Sequence, residues 1–355
     1  MIEQDHLQVY ALTLTTQGLI HIGSGQKIPR KEYVFNPRKE SVAFLNEQAF
    51  FDLLIEHGLV ELFEGFCLRR GGDLYRFLLD ECRLTWAQIA PVVHYQVSAS
   101  DALDAEHSLK DICRFMRDTQ GRAYVPGSSV KGALRTALLY QQIAREDAQH
   151  RQFAKDKIPE EQYFHTLGLN SRRMEDAVNS ILRGVQVSDS EPIPDQAMML
   201  ALKRDGFIDG GVHAVPVCRE YVAPGRAIRF RLTLDQSILK NSITVESILD
   251  AIDALAAYNA RVIESRFMRP AGFSMPSGER ILYIGGGAGF FGKSMVYPYL
   301  GEGRALNWTA EYLSRAFSKH YHERDKVLGV SPRTLKYGQY RQKLYAVGAC
   351  KVEIA

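Results

Sequence analysis

Residues 125–139 read Val-Pro-Gly-Ser-Ser-Val-Lys-Gly-Ala-Leu-Arg-Thr-Ala-Leu-Leu and predict the start of an amphipathic helix. The Pro-Gly pair at 126–127 interrupts the preceding segment, and Ser128 or Ser129 can cap the free amides of a first helical turn. Apolar residues then recur at helical spacing, so the sequence predicts a helix over about 129–146.

Two cations follow in this predicted helix, Lys131 and Arg135, four residues apart and therefore on one side of it. The positive end of the helix dipole favours acids, so a cation in the first turn is unusual. A polyanion bound at the free amides would stabilise both cations there. An amphipathic helix with two solvated cations explains the same pattern, and the residues alone leave both interpretations open.

The chain length of 355 residues favours two domains, each large enough to bury its own core. A hydrophobic content of 46% and a charged content of 24% are ordinary for a soluble globular protein. The five cysteines lie far apart with no Cys-x-x-Cys pair, which predicts reduced thiols rather than a disulfide framework or a zinc finger. Neither a signal peptide nor a long apolar run is visible, so we expect a soluble protein of the cytoplasm.

Positive charge is concentrated near the C-terminus. From Arg324 to Lys351 there are seven cations and one acid, a local net charge of +6 in a chain whose net charge is +3. Such a segment can follow the phosphates of a nucleic acid, or it can be a solvated surface, and its composition does not separate the two.

Alternating and periodic patterns predict the remaining elements and an α+β fold. We expect strands at about 8–16, 184–188, 198–203, 215–222, 227–234, 280–284 and 345–354, with a hairpin over 33–45. We expect helices at about 47–57, 73–82, 245–267 and 305–321, and a polar, helical and loop-rich stretch up to about 176. The mixed, mostly helical segment from about 60 to 122 is interpreted as part of an insertion.

A second glycine-rich stretch, 287–294, reads Gly-Ala-Gly-Phe-Phe-Gly-Lys-Ser and matches the letters of a P-loop. A P-loop lysine begins a helix that holds phosphates, but Pro298 would end any helix here almost at once. The residues that follow are too few for the parallel sheet of a P-loop domain. We therefore predict a loop whose amides approach a ligand closely, not a nucleotide-hydrolysing site. Phe290 and Phe291 either stack on bases or anchor this loop in the core.

Two phosphate-ready glycine loops on two α+β units resemble the RAMP superfamily of CRISPR-associated RNA-binding proteins. The motifs that carry the resemblance occur in the family's order: 115–118, 124–139, 185–190, 219–225, 285–293 and 332–336. Within the superfamily they are most similar to the fifth Csm subunits of type III-A effector complexes. Those subunits cap the complex at the 3′ end of the guide RNA and are needed for guide maturation in antiviral defence.

The resemblance implies two ferredoxin-like (RRM-like) RAMP domains. The first would span 1–235, with a mainly helical insertion at about 47–122, and the second would span 236–355 and carry the glycine loop. It also implies RNA contacts from loop and helix residues of both domains: His21, Gly23, Ser24, Gly25, Ser128, Ser129, Lys131, Arg135, Gly286, Gly287, Gly289 and Lys293. Contacts of this kind bind phosphates without reading base sequence.

The partners implied by the resemblance are the crRNA, through its 3′ region, and the neighbouring Csm backbone and small subunits. Host nucleases that trim the guide are a further implied class, which the sequence leaves open. No cofactor, metal or membrane partner is expected.

Superfamily members that cut RNA with a metal use an aspartate in the loop after an early strand, whereas residues 21–32 contain no carboxylate before Glu32. Small acidic clusters at 101–106 and 189–191 are explained by turn and capping roles. A metal-independent guide-processing endoribonuclease is the alternative, with His21 as base and Lys27 or Lys131 near the phosphate. A buried or capping histidine explains His21 as well, and we predict a non-catalytic RNA-binding subunit.

Overall fold

The computed structural model describes residues 6–104, 106–146, 151, 153 and 158–355. Strands and helices are mixed along these residues, which confirms the α+β class expected from the sequence. No helix in these ranges is long and apolar enough to cross a membrane.

The strands are β1 (Leu7–Thr16), β2 (Gly23–Ile28), β3 (Tyr33–Asn36), β4 (Ser41–Leu45), β5 (Val93–Asp101), β6 (Ile112–Phe115), β7 (Val185–Val187), β8 (Met198–Phe207), β9 (Val212–Val222), β10 (Ala227–Asp235), β11 (Phe273–Ser274), β12 (Ile281–Tyr283), β13 (Thr334–Tyr340), β14 (Lys343–Ala346) and β15 (Ala349–Ile354). The helices are α1 (Glu47–Glu56), α2 (Val60–Leu68), α3 (Leu74–Arg76), α4 (Trp86–Ile89), α5 (Gly127–Ile143), α6 (Glu161–Phe164), α7 (Gln236–Leu239), α8 (Val245–Val262), α9 (Val296–Leu300), α10 (Glu302–Ala316) and α11 (Asp325–Leu328).

The first sheet has five antiparallel strands in the order β12-β15-β1-β10-β7, so strands from both ends of the sequence lie side by side. In β10 the alternating apolar residues of 228–234 are buried, whereas Arg229 and Arg231 are exposed. Leu12 and Leu14 of β1 belong to the same core as buried residues of α5 and α8. Burying one such leucine fully contributes about 2 kcal/mol, so this apolar face stabilises the packing of the sheet against the two helices.

The second sheet has ten strands and branches at β8. One edge of β8 pairs with β9. The other edge pairs with β5 in parallel near Met199 and with β13 in antiparallel fashion near Arg204. Through β9 the sheet also gains β6 and then β2, the strand that follows His21.

The segment 47–122 differs in part from its sequence-based description. Helices occupy it up to Ile89 and surround a separate small core that includes Phe66 and Phe77, whose rings stack with centroids 4.4 Å apart. The second half forms β5 and β6, so the expectation of mostly helix is wrong there. β6 has only four residues, and the partners of both strands are distant in sequence, so local pattern alone does not reveal them.

Other boundaries also move. The expected strand at 345–354 is two strands, β14 and β15, and β13 was not predicted. The expected helix at 305–321 is α10, which ends at Ala316, and the one at 245–267 ends at Val262. Part of the polar stretch before 176, at 147–150, 152 and 154–157, lies outside the described residues.

The start of α5 is capped differently from the expectation. Neither Ser128 nor Ser129 caps it, because the helix begins at Gly127, two residues earlier than expected, with Pro126 at the N-cap position. The free amide of Gly127 instead donates to Asp189 Oδ1 at 2.9 Å, just after β7. A carboxylate at this position suits the positive end of the dipole, so the acid missing from the helix itself is supplied by another segment.

Gly127→Ala is expected to destabilise the fold by about 1–3 kcal/mol, because a Cβ at this position would overlap the carbonyl oxygens of Val187 and Ser188. Gly132→Ala in the same helix is the matched control, since a Cβ there meets nothing within 4 Å. We expect that control to be neutral or to gain up to about 1 kcal/mol. Chemical denaturation measures both free energies of unfolding, and equal effects of the two substitutions would contradict the close packing at Gly127.

Candidate nucleic-acid interface

A cleft of about 630 Å³ opens where three segments meet. They are the residues around His21, the first turns of α5, and the loop 285–293 after β12. Two of these segments carry the motifs 124–139 and 285–293, and the third contains the predicted contacts His21, Gly23 and Gly25, although the three segments are more than 100 residues apart. Arg219 brings the 219–225 motif to the same cleft. Among the described residues that line the cleft there is no carboxylate.

Seven of the twelve predicted contact residues line this cleft: His21, Gly23, Gly25, Ser128, Ser129, Gly286 and Lys293. The other five do not: Ser24, Lys131, Arg135, Gly287 and Gly289. The structure also brings in residues that were not predicted, namely Gly132, Thr136, Arg219, Tyr283 and Gly285. All twelve predicted contacts remain predictions, since no RNA is present.

The two cations of α5 have different surroundings. Arg135 forms an ion pair with Glu160, and its guanidinium lies 5.9 Å from the centroid of the Phe164 ring. Lys131 is half-buried and forms no ion pair within the described part of the chain, and partial burial lowers its pKa. Lys131 therefore remains available for an external anion, whereas Arg135 already has a carboxylate partner.

His21 is the buried centre of the cleft floor, with only 5% of its surface exposed. Its Nδ1–H donates to the carbonyl oxygen of Glu220 at 2.7 Å, and its own carbonyl accepts the amide of Gly286 at 2.6 Å. Burial lowers the pKa of the imidazole to about 4, and Arg219 adds to this effect. The ring is therefore neutral at pH 7, with the proton on Nδ1 and a lone pair on Nε2.

A buried ion pair holds the strand beneath His21. The Glu220 carboxylate is fully buried and accepts from the Phe115 amide at 2.9 Å and from the Arg117 guanidinium. Arg117 also reaches Asp195 at 3.2 Å and lies 3.7 Å from the centroid of the Tyr95 ring. Because a buried carboxylate without partners is strongly destabilising, these contacts fix β9 against the end of β6. The 115–118 motif thus has a structural role, the binding of the buried Glu220 carboxylate, which the sequence alone did not reveal.

The glycine loop follows the cleft floor closely. Gly285 has φ +78°, and a Cβ there would overlap the carbonyl oxygen of His21. Gly287 has φ +85°, and a Cβ there would overlap the guanidinium of Arg219. The loop does not lead into a helix at Lys293, because α9 begins only at Val296, so the arrangement differs from that of a P-loop.

Phe291 is buried and packs edge to face on Tyr297, with the ring centroids 5.6 Å apart. It therefore anchors the loop in the core, which is one of the two roles predicted for it from the sequence. Lys293, two residues later, is exposed and has no carboxylate partner within the described ranges. Arg219 likewise forms no ion pair there, and its Nη1 lies 3.5 Å from the Gly286 carbonyl oxygen. The cleft therefore carries two unneutralised cations on a wall of backbone amides.

The basic C-terminal segment is not a free positive face. Four of its cations pair with carboxylates: Lys326 with Glu311, Arg333 with Asp325, Lys336 with Asp205, and Lys351 with Glu353. Lys27, offered as a partner of His21, lies outside the cleft in a separate pocket with Arg30 and Lys110. The C-terminal segment thus keeps less free positive charge than its composition suggests, because only Arg324, Arg341 and Lys343 lack a carboxylate partner among the described residues.

The acidic clusters serve the backbone. Asp189 caps α5, and Asp104 accepts the amides of Glu106 and Ser108 while it pairs with Lys110 at 3.1 Å. No group of three or more His, Cys, Asp or Glu side chains able to hold a metal occurs among the residues that the structure describes. What the cleft offers chemically is backbone amides, hydroxyls and two cations, a set that suits phosphate groups.

The chain matches the family model described as the RAMP superfamily over residues 13–266. Curated relatives include the "CRISPR system Cms protein Csm5" of Mycobacterium tuberculosis, 28% identical over 98% of both chains. The protein of the same name from Enterococcus italicus is 25% identical over 98% of this chain and 97% of its own.

Solved structures share the fold at lower identity. A chain in the cryo-EM structure of a Csm–crRNA–target RNA ternary complex of a type III-A CRISPR-Cas system superposes with a TM-score of 0.60 at 17% identity, covering 97% of this chain and all of that one. The crystal structure of T. onnurineus Csm5 gives a TM-score of 0.58 at 16% identity, over 96% of this chain and 99% of that one.

His21 makes the stability of the fold depend on pH. Its pKa of about 4 lies below its ordinary value of 6.5, so between these values the unfolded chain binds the extra proton. The stabilisation from neutral His21 is fully present above about pH 6.5 and is lost as the pH falls toward 4. Its contribution to the free energy of unfolding is about 3 kcal/mol. We expect His21→Gln to lose less stability than the parent between pH 7 and pH 4, as measured by denaturation at each pH.

The control for this experiment is His213→Gln, which replaces an exposed histidine and should keep the pH dependence of the parent protein. Identical pH profiles for His21→Gln and the parent would show that burial does not hold the imidazole neutral.

Proposed function

Since the chain belongs to the RAMP superfamily, we propose that it is a non-catalytic crRNA-binding subunit of a type III-A (Csm) CRISPR effector complex. In that role it caps the 3′ end of the guide, supports crRNA maturation in antiviral defence, and contacts neighbouring Csm backbone and small subunits. Relatives named Csm5 that align over almost the whole of both chains support this assignment. A role for host trimming nucleases stays a prediction from the family resemblance.

The observation that carries the proposal is the cleft. Three motifs that are far apart in sequence converge on one concave surface with no carboxylate among its described lining residues, and Lys293 and Arg219 are not neutralised there. An RNA backbone presents repeated phosphates, and such a surface binds them through amides, hydroxyls and cations. None of these groups distinguishes one base from another, which suits a subunit that must accept guides of any sequence.

The proposal includes two RAMP domains with a boundary near 235 and 236. The helices of 47–92 support an insertion in the first domain, because they surround a small core of their own. The five-stranded sheet contains strands from both sides of the proposed boundary, so the two domains would share that sheet. A cleft at such a junction explains why α5 from one half and the glycine loop from the other line the same surface.

One observation favours the alternative, a metal-independent endoribonuclease. His21 is neutral, and its Nε2 lone pair lies close to Gly23 at the cleft, as a general base for a ribose 2′-hydroxyl requires. Two features oppose it. The imidazole is almost fully buried, and the described cleft offers no second histidine or carboxylate as an acid for the leaving group.

Single-stranded RNA is expected to bind with a steep salt dependence, and Lys131→Ala combined with Lys293→Ala should weaken this binding. Removing two phosphate contacts lowers the slope of log affinity against log salt concentration by about 1.4 for a single strand. Fluorescence anisotropy of a labelled guide-like RNA over a series of salt concentrations measures the affinity and the slope together.

The matched control is Lys39→Ala combined with Lys319→Ala, which removes the same charge from two exposed positions that are neither predicted contacts nor lining residues of the cleft. It should leave the slope near that of the parent protein. If both double variants reduce binding equally, general electrostatic attraction rather than the cleft accounts for it, and the interface is wrongly assigned.

The same RNA should remain intact after incubation with the purified protein, with or without magnesium, as followed by denaturing gel electrophoresis. Turnover of a labelled guide precursor that disappears in His21→Ala would instead establish the endoribonuclease.

A further inference from the structure

A second cavity, of about 370 Å³, lies beneath the glycine loop, and Gly289 is the one predicted RNA contact among its described lining residues. It is enclosed by the end of α8 and the turn after it, by β11 and by β13. Tyr283 and Gly292 line both this cavity and the cleft. The glycine loop is therefore the wall between them, and a group attached to a strand in the cleft needs only to pass this loop.

Aromatic rings form much of the cavity wall. Phe273 and Tyr337 meet edge to face with their centroids 5.0 Å apart, and Phe267 and Phe291 are buried nearby. Flat apolar walls of this kind favour a planar ligand, because stacking gains the most contact on a planar ring.

Asn259 is the first polar group in this wall. The residue is 8% exposed, and its side-chain amide forms no hydrogen bond with any residue that the structure describes. Since the amide has both donor and acceptor atoms, a matching ligand has an acceptor and a donor on one edge.

Glu264 is the second polar group. Its Oε1 accepts the hydroxyl of Tyr283 at 3.2 Å, which leaves Oε2 without a partner among the described residues, and burial raises the pKa of this carboxyl. The nearby Lys336 is already held by Asp205 at 2.9 Å and by Thr334. Arg269 also lines the cavity, at an exposed position, and its charge acts on Glu264. Beside this cation, the unused Oε2 of Glu264 offers an acceptor to an N–H donor.

We propose that this cavity receives a nucleobase turned out of the RNA strand bound in the cleft, with guanine preferred. Guanine has two adjacent N–H donors, at N1 and N2, which suit the Glu264 carboxylate, and its remaining polar edge suits Asn259. Uracil presents a single N–H between two carbonyl oxygens, and these oxygens would face the carboxylate. The inference rests on the proposed function, because it needs a strand in the cleft, but it adds a base preference that the cleft itself lacks.

The test compares a short labelled oligouridine with the same oligomer carrying one guanosine, by fluorescence anisotropy with the full chain. The parent protein should bind the guanosine strand about tenfold more tightly, the lower part of the range for one well-placed base contact. Glu264→Gln and Asn259→Leu should each abolish this preference while the affinity for oligouridine stays unchanged. Thermal unfolding of both variants checks that they fold, and the isosteric glutamine keeps the test valid if the leucine variant does not.

Equal binding of the two strands by the parent protein, or a preference that survives both substitutions, would overturn the base pocket. In that case oligouridine binding that still depends on Lys131 and Lys293 would leave the proposed function intact. Failure of both strands to bind would remove the proposed function itself. Saturable binding of guanosine monophosphate that the guanosine strand does not displace would also overturn the proposal, by assigning the cavity to a free nucleotide.

Discussion

The cleft depends on the placement of one buried histidine. His21 donates to the backbone of β9 through its ring and accepts the glycine loop through its own carbonyl, so it joins three distant segments. The strand beneath it is held in turn by the Glu220 carboxylate, whose burial requires the Phe115 amide and the Arg117 guanidinium. The Glu220 carboxylate and the Arg117 guanidinium cannot be left unpaired without a large cost in free energy. Their pairing therefore holds the strand under His21, and with it the floor of the cleft, in place.

This arrangement explains why some of the site was visible in the sequence and some was not. Gly285 and Gly287 combine a positive φ with a close contact that excludes a Cβ, whereas Gly127 at the helix start is required by close contact alone. Arg219 begins the 219–225 motif, but its place in the site was missed, since an arginine in an amphipathic strand is ordinary until the loop above it is known. The neutralisation of Arg135 by Glu160 was equally hidden, because it depends on a side chain twenty-five residues away.

In the fold, too, some elements could be predicted from the sequence and others could not. The periodicity of β10 and the alternation in β1 were read directly, because each has one buried face and one polar face. Strands β5 and β6 were missed because they follow a helical segment and pair with partners about 100 residues later, so packing rather than local pattern selects their conformation. The acid that caps α5 lies in a turn after β7, and only the tertiary structure brings Asp189 to that helix.

The central position of β1 has a consequence for biosynthesis. This strand is synthesised long before β15, one of its two neighbours in the sheet, and the backbones of Ala11 and Ala355 exchange two hydrogen bonds. During translation β1 therefore presents an unpaired edge until β15 has been made, which is a hazard for aggregation. The pairing of β1 with β15 forms late in folding, because it closes a long loop of the chain. A partner that binds the free edge of β1 before then would assist folding.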